Sequence, residues 1–279
     1  MSNRIHQYFS GQSFPRTLSF PRRRESIAPI SLVAVDSRLR GNDRVRGNDR
    51  LRGSDRKAVG NFGVRLLVSL CLLACAIAFS AVDLDKMQSL ALSRYGPNTE
   101  KTVVEWRAMI ETIKPLPDHK KLAAVNDFFN ARIRWVEDID NWGENDYWAT
   151  PLETMARRKG DCEDFSIAKF VTLLLGGVEM DKLRITYVKA QMGGRLSKNY
   201  VAHMVLAYYP SPSADPMILD NMVDALRPAS RREDLKPVFG FNSEGLWVGG
   251  SAAPATKDPG AKLSRWRDLL QRMSADGLG

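Results

Sequence analysis

Cysteine and histidine are both scarce, with three of each in 279 residues. Three cysteines cannot staple a chain of this length, so a disulfide framework is excluded. Cys71 and Cys75 lie in an apolar run near the start, which leaves Cys162 alone in the rest of the chain. A lone thiol is either a small buried side chain or a nucleophile, and a nucleophile needs a base. Net charge is also missing over most of the length. The formal +9 sits in residues 1–65, which hold 14 Lys/Arg against 5 Asp/Glu; residues 66–279 hold 27 of each. A neutral globular part removes the basis for a nucleic-acid binder, and no nucleic-acid partner is expected.

Residues 1–60 lack the apolar content for a core. The stretch RLRGNDRVRGNDRLRGSDR (38–56) repeats a six-residue unit rich in Arg, Gly, Asn and Asp. It resembles translated repetitive DNA, which points to a start codon set too early or a repeat inserted upstream. The alternative is a genuine basic tail. A basic flank (Arg56, Lys57, Arg65) leads into an uncharged apolar run, Leu66 to Val82, with AFS (78–80) at signal-peptidase spacing, which places a signal peptide at 61–82. This reads as a secretory signal. The run is slightly short for a membrane span, with an uncleaved anchor as the alternative. LLAC (72–75) is a weaker match to a lipoprotein processing site. Export to the periplasm is expected, with 83–279 as the functional domain.

The domain opens with helical patterns at 86–95, 100–113 and 118–133, where Asp118 is a candidate cap. A loop rich in Asp, Asn and Trp follows (137–149), of a kind that often lines sites. TPLE (150–153) is a helix start with Thr150 as cap, Pro151 at the first position and Glu153 closing a capping box. CEDFSIAKFVTLLL (162–175) is apolar on nearly every face, as in a helix buried mid-domain, and Gly176-Gly177 ends it. The period then changes to two, predicting strands at 183–190, 201–209 and 217–220. Leu263, Trp266, Leu269, Leu270 and Met273 form one stripe of a C-terminal docking helix. Helices followed by antiparallel strands indicate an α+β class.

The short stretch GDCEDF (160–165) carries the chemistry. Cys162 falls in the first turn of the buried helix, where backbone N–H groups and the helix dipole favour a thiolate. Of the histidines, His6 lies in the extension and His119 in a charged loop. His203 alternates with apolar neighbours on a strand, either as a satisfied core residue or as the base. Asp220 ends the next strand, either opening a turn or orienting His203. Asp161, Glu163 and Asp164 surround the thiol. They either cap the helix or hold a hard cation; three acids within four residues exceed what capping requires.

Taken together, GDCEDFSIAKF, AHMVLAYYP and ILDN, with WGENDYWATPLE upstream, resemble the bacterial transglutaminase-like cysteine peptidases. The resemblance covers about 86–250. It implies a papain/transglutaminase-like core with a helical N-terminal lobe and a Cys-bearing helix packed on an antiparallel sheet. It implies Cys162 as nucleophile, His203 as base and Asp220 as orienting acid. It also implies Ca²⁺ held by Asp161 and Glu163, with Asp164 a further ligand. The implied activity is a calcium-dependent periplasmic endopeptidase that clips the N-terminal region of a large surface adhesin. An inner-membrane cyclic-di-GMP receptor is the implied sequestering partner. Two other functions remain open on the residues alone: an acyltransferase using the same triad, and a calcium-binding module with an idle triad.

Overall fold

The computed structural model describes residues 82–279. The expectations for the extension at 1–60 and for the export signal fall outside that range. Helix α1 (Leu84–Tyr95) and helix α2 (Pro97–Ile113) meet at Gly96, whose φ of +86° makes the corner that glycine accepts freely. Helix α2 starts earlier than its apolar period suggests because Pro97 takes the first helical position, where its missing N–H costs nothing. Helix α3 spans Asp118–Arg132. Asp118 is not its side-chain cap; the carboxylate accepts the Tyr208 hydroxyl at 2.7 Å instead.

Strand β1 (Arg134–Trp135) runs parallel to strand β2 (Lys159–Gly160), with Trp135 beside Gly160. This two-residue pairing was not predicted, and it is decisive for the site. It brings the Asp-rich loop alongside GDCEDF. Within that loop, Asp138–Asn141 forms the single turn α4. Helix α5 (Pro151–Arg157) opens on the expected capping box: the Glu153 N–H donates to Thr150 Oγ1 at 3.2 Å, and the Thr150 N–H donates to Glu153 Oε2 at 2.7 Å. Helix α6 (Cys162–Leu175) runs through the middle of the domain, with every residue from Asp164 to Leu173 buried.

The sheet has six antiparallel strands in the order β6-β5-β4-β3-β7-β8. Its centre is the hairpin of β3 (Leu183–Met192) and β4 (Asn199–Tyr208), in register from Leu183/Tyr208 to Met192/Asn199. Strands β5 (Met217–Leu219) and β6 (Arg227–Pro228) extend one side, and β7 (Leu235–Phe241) and β8 (Leu246–Val248) the other. The last three were not predicted. Two residues carry no period, and in KPVFGF the proline and glycine mask the alternation. Leu183, Ile185, Met204, Leu206 and Phe241 pack with α6 in the main core, while Val188, Val205, Ala207 and Ile218 form a smaller cluster. Helix α7 (Ser264–Ala275) docks through Trp266, Leu269 and Met273, all buried. Among the described residues no helix is long and apolar enough to cross a membrane.

Candidate active site

Asp161 is the N-cap of α6 and Cys162 its first helical residue; the Asp161 carboxylate accepts the Glu163 N–H at 3.2 Å. The thiol therefore sits where the helix's free N–H groups converge. Glu163 Oε2 lies 2.7 Å from Cys162 Sγ and accepts a hydrogen bond from the thiol. The backbone amide of Met204, the residue after His203, also approaches the sulfur. Burial, then the charges of Glu163 and Asp161, push the Cys162 thiol well above its ordinary range; the Met204 amide acts the other way.

His203 is buried on β4, and Nε2 is 2.8 Å from Asp220 Oδ1. Asp220 follows β5, whose pairing of Leu219 with Leu206 carries the carboxylate back toward His203. Oδ1 also accepts the Met222 N–H at 2.9 Å, and Oδ2 accepts from Arg232 at 2.8 Å. Burial alone would raise this carboxyl. The hydrogen bond and charge of His203, the Met222 amide and Arg232 reverse that and hold it well below the usual carboxylate range. The Asp220 carbonyl accepts from Asn130 of α3 at 2.8 Å and from Lys169 of α6 at 3.1 Å. The structure thus joins His203 to Asp220 and Cys162 to Glu163. Among the described residues no hydrogen bond links Cys162 to His203.

The acids form a second centre. Carboxylate oxygens of Asp138, Asp161 and Asp164 lie within 4.8 Å of one another. Asp138 Oδ2 accepts the Tyr147 N–H at 2.6 Å and Asp164 Oδ1 accepts the Ala149 N–H at 2.8 Å. Their other oxygens, Asp138 Oδ1 and Asp164 Oδ2, are buried without a partner. Gly160 allows this crowding: a Cβ there would stand 2.7 Å from both Asp164 Cβ and Oδ2. Burial, reinforced by Glu163 and Asp146, pushes Asp138 up to about 6. Burial and the charges of Glu163, Asp164 and Asp138 push Asp161 up to about 11. Burial likewise raises Asp164 well above its usual range. Orphaned buried carboxylate oxygens that resist ionising together suit a hard divalent cation. Asp161 and Asp164 were expected in such a set. Glu163, also expected, instead has Oε2 on the sulfur. Asp138 was not foreseen; its only sequence signal is the acidity of the 137–149 loop.

A thiol at a helix start, a His–Asp pair on neighbouring strands and a buried acid cluster beside the thiol define a cysteine peptidase of papain-like architecture. The chain belongs to the bacterial transglutaminase-like cysteine proteinases, whose family model matches residues 98–233. It is similar to LapG of Legionella pneumophila, at 39% identity over 69% of this chain and 98% of that one, with a TM-score of 0.58. The calcium-bound form of that protein matches at 38% identity over 69% and 99% of the two chains, with a TM-score of 0.59. The EGTA-treated form matches at 38%, over 69% and 98%, with a TM-score of 0.60. No curated protein matches. The resemblance seen in the sequence is therefore upheld, as are the α+β class and the assignment as a cysteine peptidase.

Proposed function

We propose that the protein is a calcium-dependent endopeptidase of the periplasm, in which Cys162 attacks the peptide carbonyl, His203 moves the proton and Asp220 orients His203. The observation that carries this is the 2.8 Å His203–Asp220 pair on the sheet that packs against α6, the helix that Cys162 opens. Because Nε2 faces Asp220, Nδ1 is the nitrogen left to take the thiol proton. The thiolate adds to the carbonyl carbon, and N–H groups at the start of α6 face the oxyanion. The C–N bond then breaks as imidazolium returns a proton to the leaving amine, giving a thioester. Water, deprotonated by His203, hydrolyses the thioester and regenerates the thiol.

Asp138, Asp161 and Asp164 are the residues that would hold calcium, with Glu163 within reach through its contact with Asp161. Bound there, calcium supplies positive charge that offsets these acids. With that charge offset, Glu163 would compete less for the hydrogen of Cys162, leaving it to His203. Support for calcium comes from the similarity to a protein with calcium-bound and EGTA-treated forms.

The substrate is proposed as the N-terminal region of a large surface adhesin, and the partner as an inner-membrane receptor for cyclic-di-GMP that sequesters the protease. Both rest on the family resemblance. Incubating the adhesin's N-terminal region with the purified protein tests the reading. Wild type with calcium should cut it, EGTA should stop cutting, and added calcium but not magnesium should restore it. Cys162→Ala and His203→Ala should each be inactive but folded. Undiminished cutting in EGTA, or by Cys162→Ala, would reject the calcium role or the nucleophile respectively.

A further inference from the structure

Arg232 is a charged side chain buried to 4% exposure, and the catalytic scheme does not use it. It sits at the end of a short 3₁₀ turn after β6, twelve residues beyond Asp220 in sequence. Its guanidinium has two partners. One terminal nitrogen donates to Asp220 Oδ2 at 2.8 Å and to Asp234 Oδ2 at 2.8 Å, and Nε donates to Asp234 Oδ1 at 3.0 Å. Asp234 thus grips the guanidinium from the outer side, and the inner side is presented to Asp220. Asp234 is itself well exposed, with a side chain 42% accessible.

We infer that Arg232 is a positioning residue for catalysis: it pins the outer oxygen of Asp220, so that the inner oxygen is held on His203 and the imidazole keeps its free nitrogen for the thiol. This inference rests on the triad proposed above. The geometry gives the reason. A carboxylate has two oxygens and can rotate about its Cβ–Cγ bond. Oδ1 carries the His203 contact, held at the same time by the Met222 amide. Oδ2 has Arg232 as its side-chain partner. A charge-assisted hydrogen bond to a planar guanidinium sets direction as well as distance. Burying Asp220 without it would leave one carboxylate oxygen unpaired in an apolar site. Lysine could supply charge but not the fork that spans Asp220 and Asp234.

The test needs no knowledge of the natural substrate. The full-length, calcium-loaded protein is treated with iodoacetamide at neutral pH, and alkylation of the peptide containing Cys162 is followed by mass spectrometry. The rate reports how readily His203 draws the thiol proton. Arg232→Met should slow the reaction about tenfold, the scale of one lost charge-assisted hydrogen bond. Arg232→Lys should recover part of the rate. Asp234→Asn, which only loosens the grip from the exposed side and leaves no buried charge unpaired, should slow it a few-fold at unchanged melting temperature. Asp220→Ala should slow it as much as Arg232→Met, and the double variant should be no slower than Asp220→Ala alone. A merely structural arginine would slow the reaction further in the Asp220→Ala background. That result, or rates within twofold of wild type for both Arg232→Met and Asp234→Asn, overturns the inference. His203→Ala is the control: if it leaves alkylation unchanged, the triad reading itself fails, and the inference with it.

Discussion

At the scale of single residues, the placement of Cys162 at a helix start and of His203 beside Asp220 was legible, because each stands in a short motif with few competitors. Three histidines leave little choice of base, and Asp220 closes the strand next to that of His203. Asp138 was not legible. It reaches the acid cluster only because β1 pairs with β2, and two residues of strand leave no periodic trace. Arg232 was hidden for the same kind of reason, since nothing in RREDL marks which arginine turns inward. The unforeseen aspartate gives a direct prediction. Asp138→Asn keeps the shape and the contact from the Tyr147 amide, yet removes one charge from the set. Calorimetry should show calcium affinity reduced by about tenfold or more. Wild-type affinity in Asp138→Asn would mean that Asp161 and its neighbours bind the ion without this loop.

Among the elements, α6 carries the most. Its burial was plain from an apolar run with no polar face, yet that run contains Lys169, which is 1% exposed. Lys169 Nζ donates to Asn126 Oδ1 at 2.8 Å and to the Asp220 carbonyl at 3.1 Å, tying the helix of Cys162 to α3 and to the loop of Asp220. Burial drives its amine down to about 7 against an ordinary 10.5, with Asp220, Asp224 and Asp127 resisting. The sign of the consequence follows. Below about pH 7 the amine is protonated in both the folded and unfolded chain, and the full cost of burying charge is borne. Between about pH 7 and 10.5 the unfolded chain holds a proton that the native state lacks, so stability rises with pH over that window. Lys169→Met should therefore gain most over wild type at or below neutral pH and lose that advantage toward alkaline pH. Urea melts of the two proteins across the window provide the check; curves that run parallel throughout would show that Lys169 does not titrate there.

Across the whole molecule, the C-terminal helix and the acid cluster belong to one mechanical unit. Arg272 of α7 donates to the Trp148 carbonyl at 2.6 Å and to Glu153 at 2.7 Å, and Asp276 accepts from Thr150 Oγ1 at 2.7 Å. These contacts fix the 147–150 segment, whose amides hold Asp138 and Asp164. The docking stripe was legible as a stripe, but its target was not, since that depends on which loop the last helix meets. The cluster so held is strained by its own charge, and this sets how the fold responds to pH. Asp138 is raised to about 6 and Asp161 to about 11, against 3.8 when unfolded. Groups raised in this way cost the native state nothing below about pH 4, where both states are protonated; above it the unfolded chain gives up its protons first, and stability falls as pH climbs through the folded values. In EGTA the cluster's contribution to stability should thus decline from mildly acid to alkaline pH. The calcium proposed for this cluster would have to displace the retained protons, so its binding should strengthen over the same interval. The rise in melting temperature on adding saturating calcium should be larger at about pH 8 than at about pH 5. An increment at the lower pH equal to or greater than that at the higher would show that Asp138 and Asp161 are not the groups the ion neutralises.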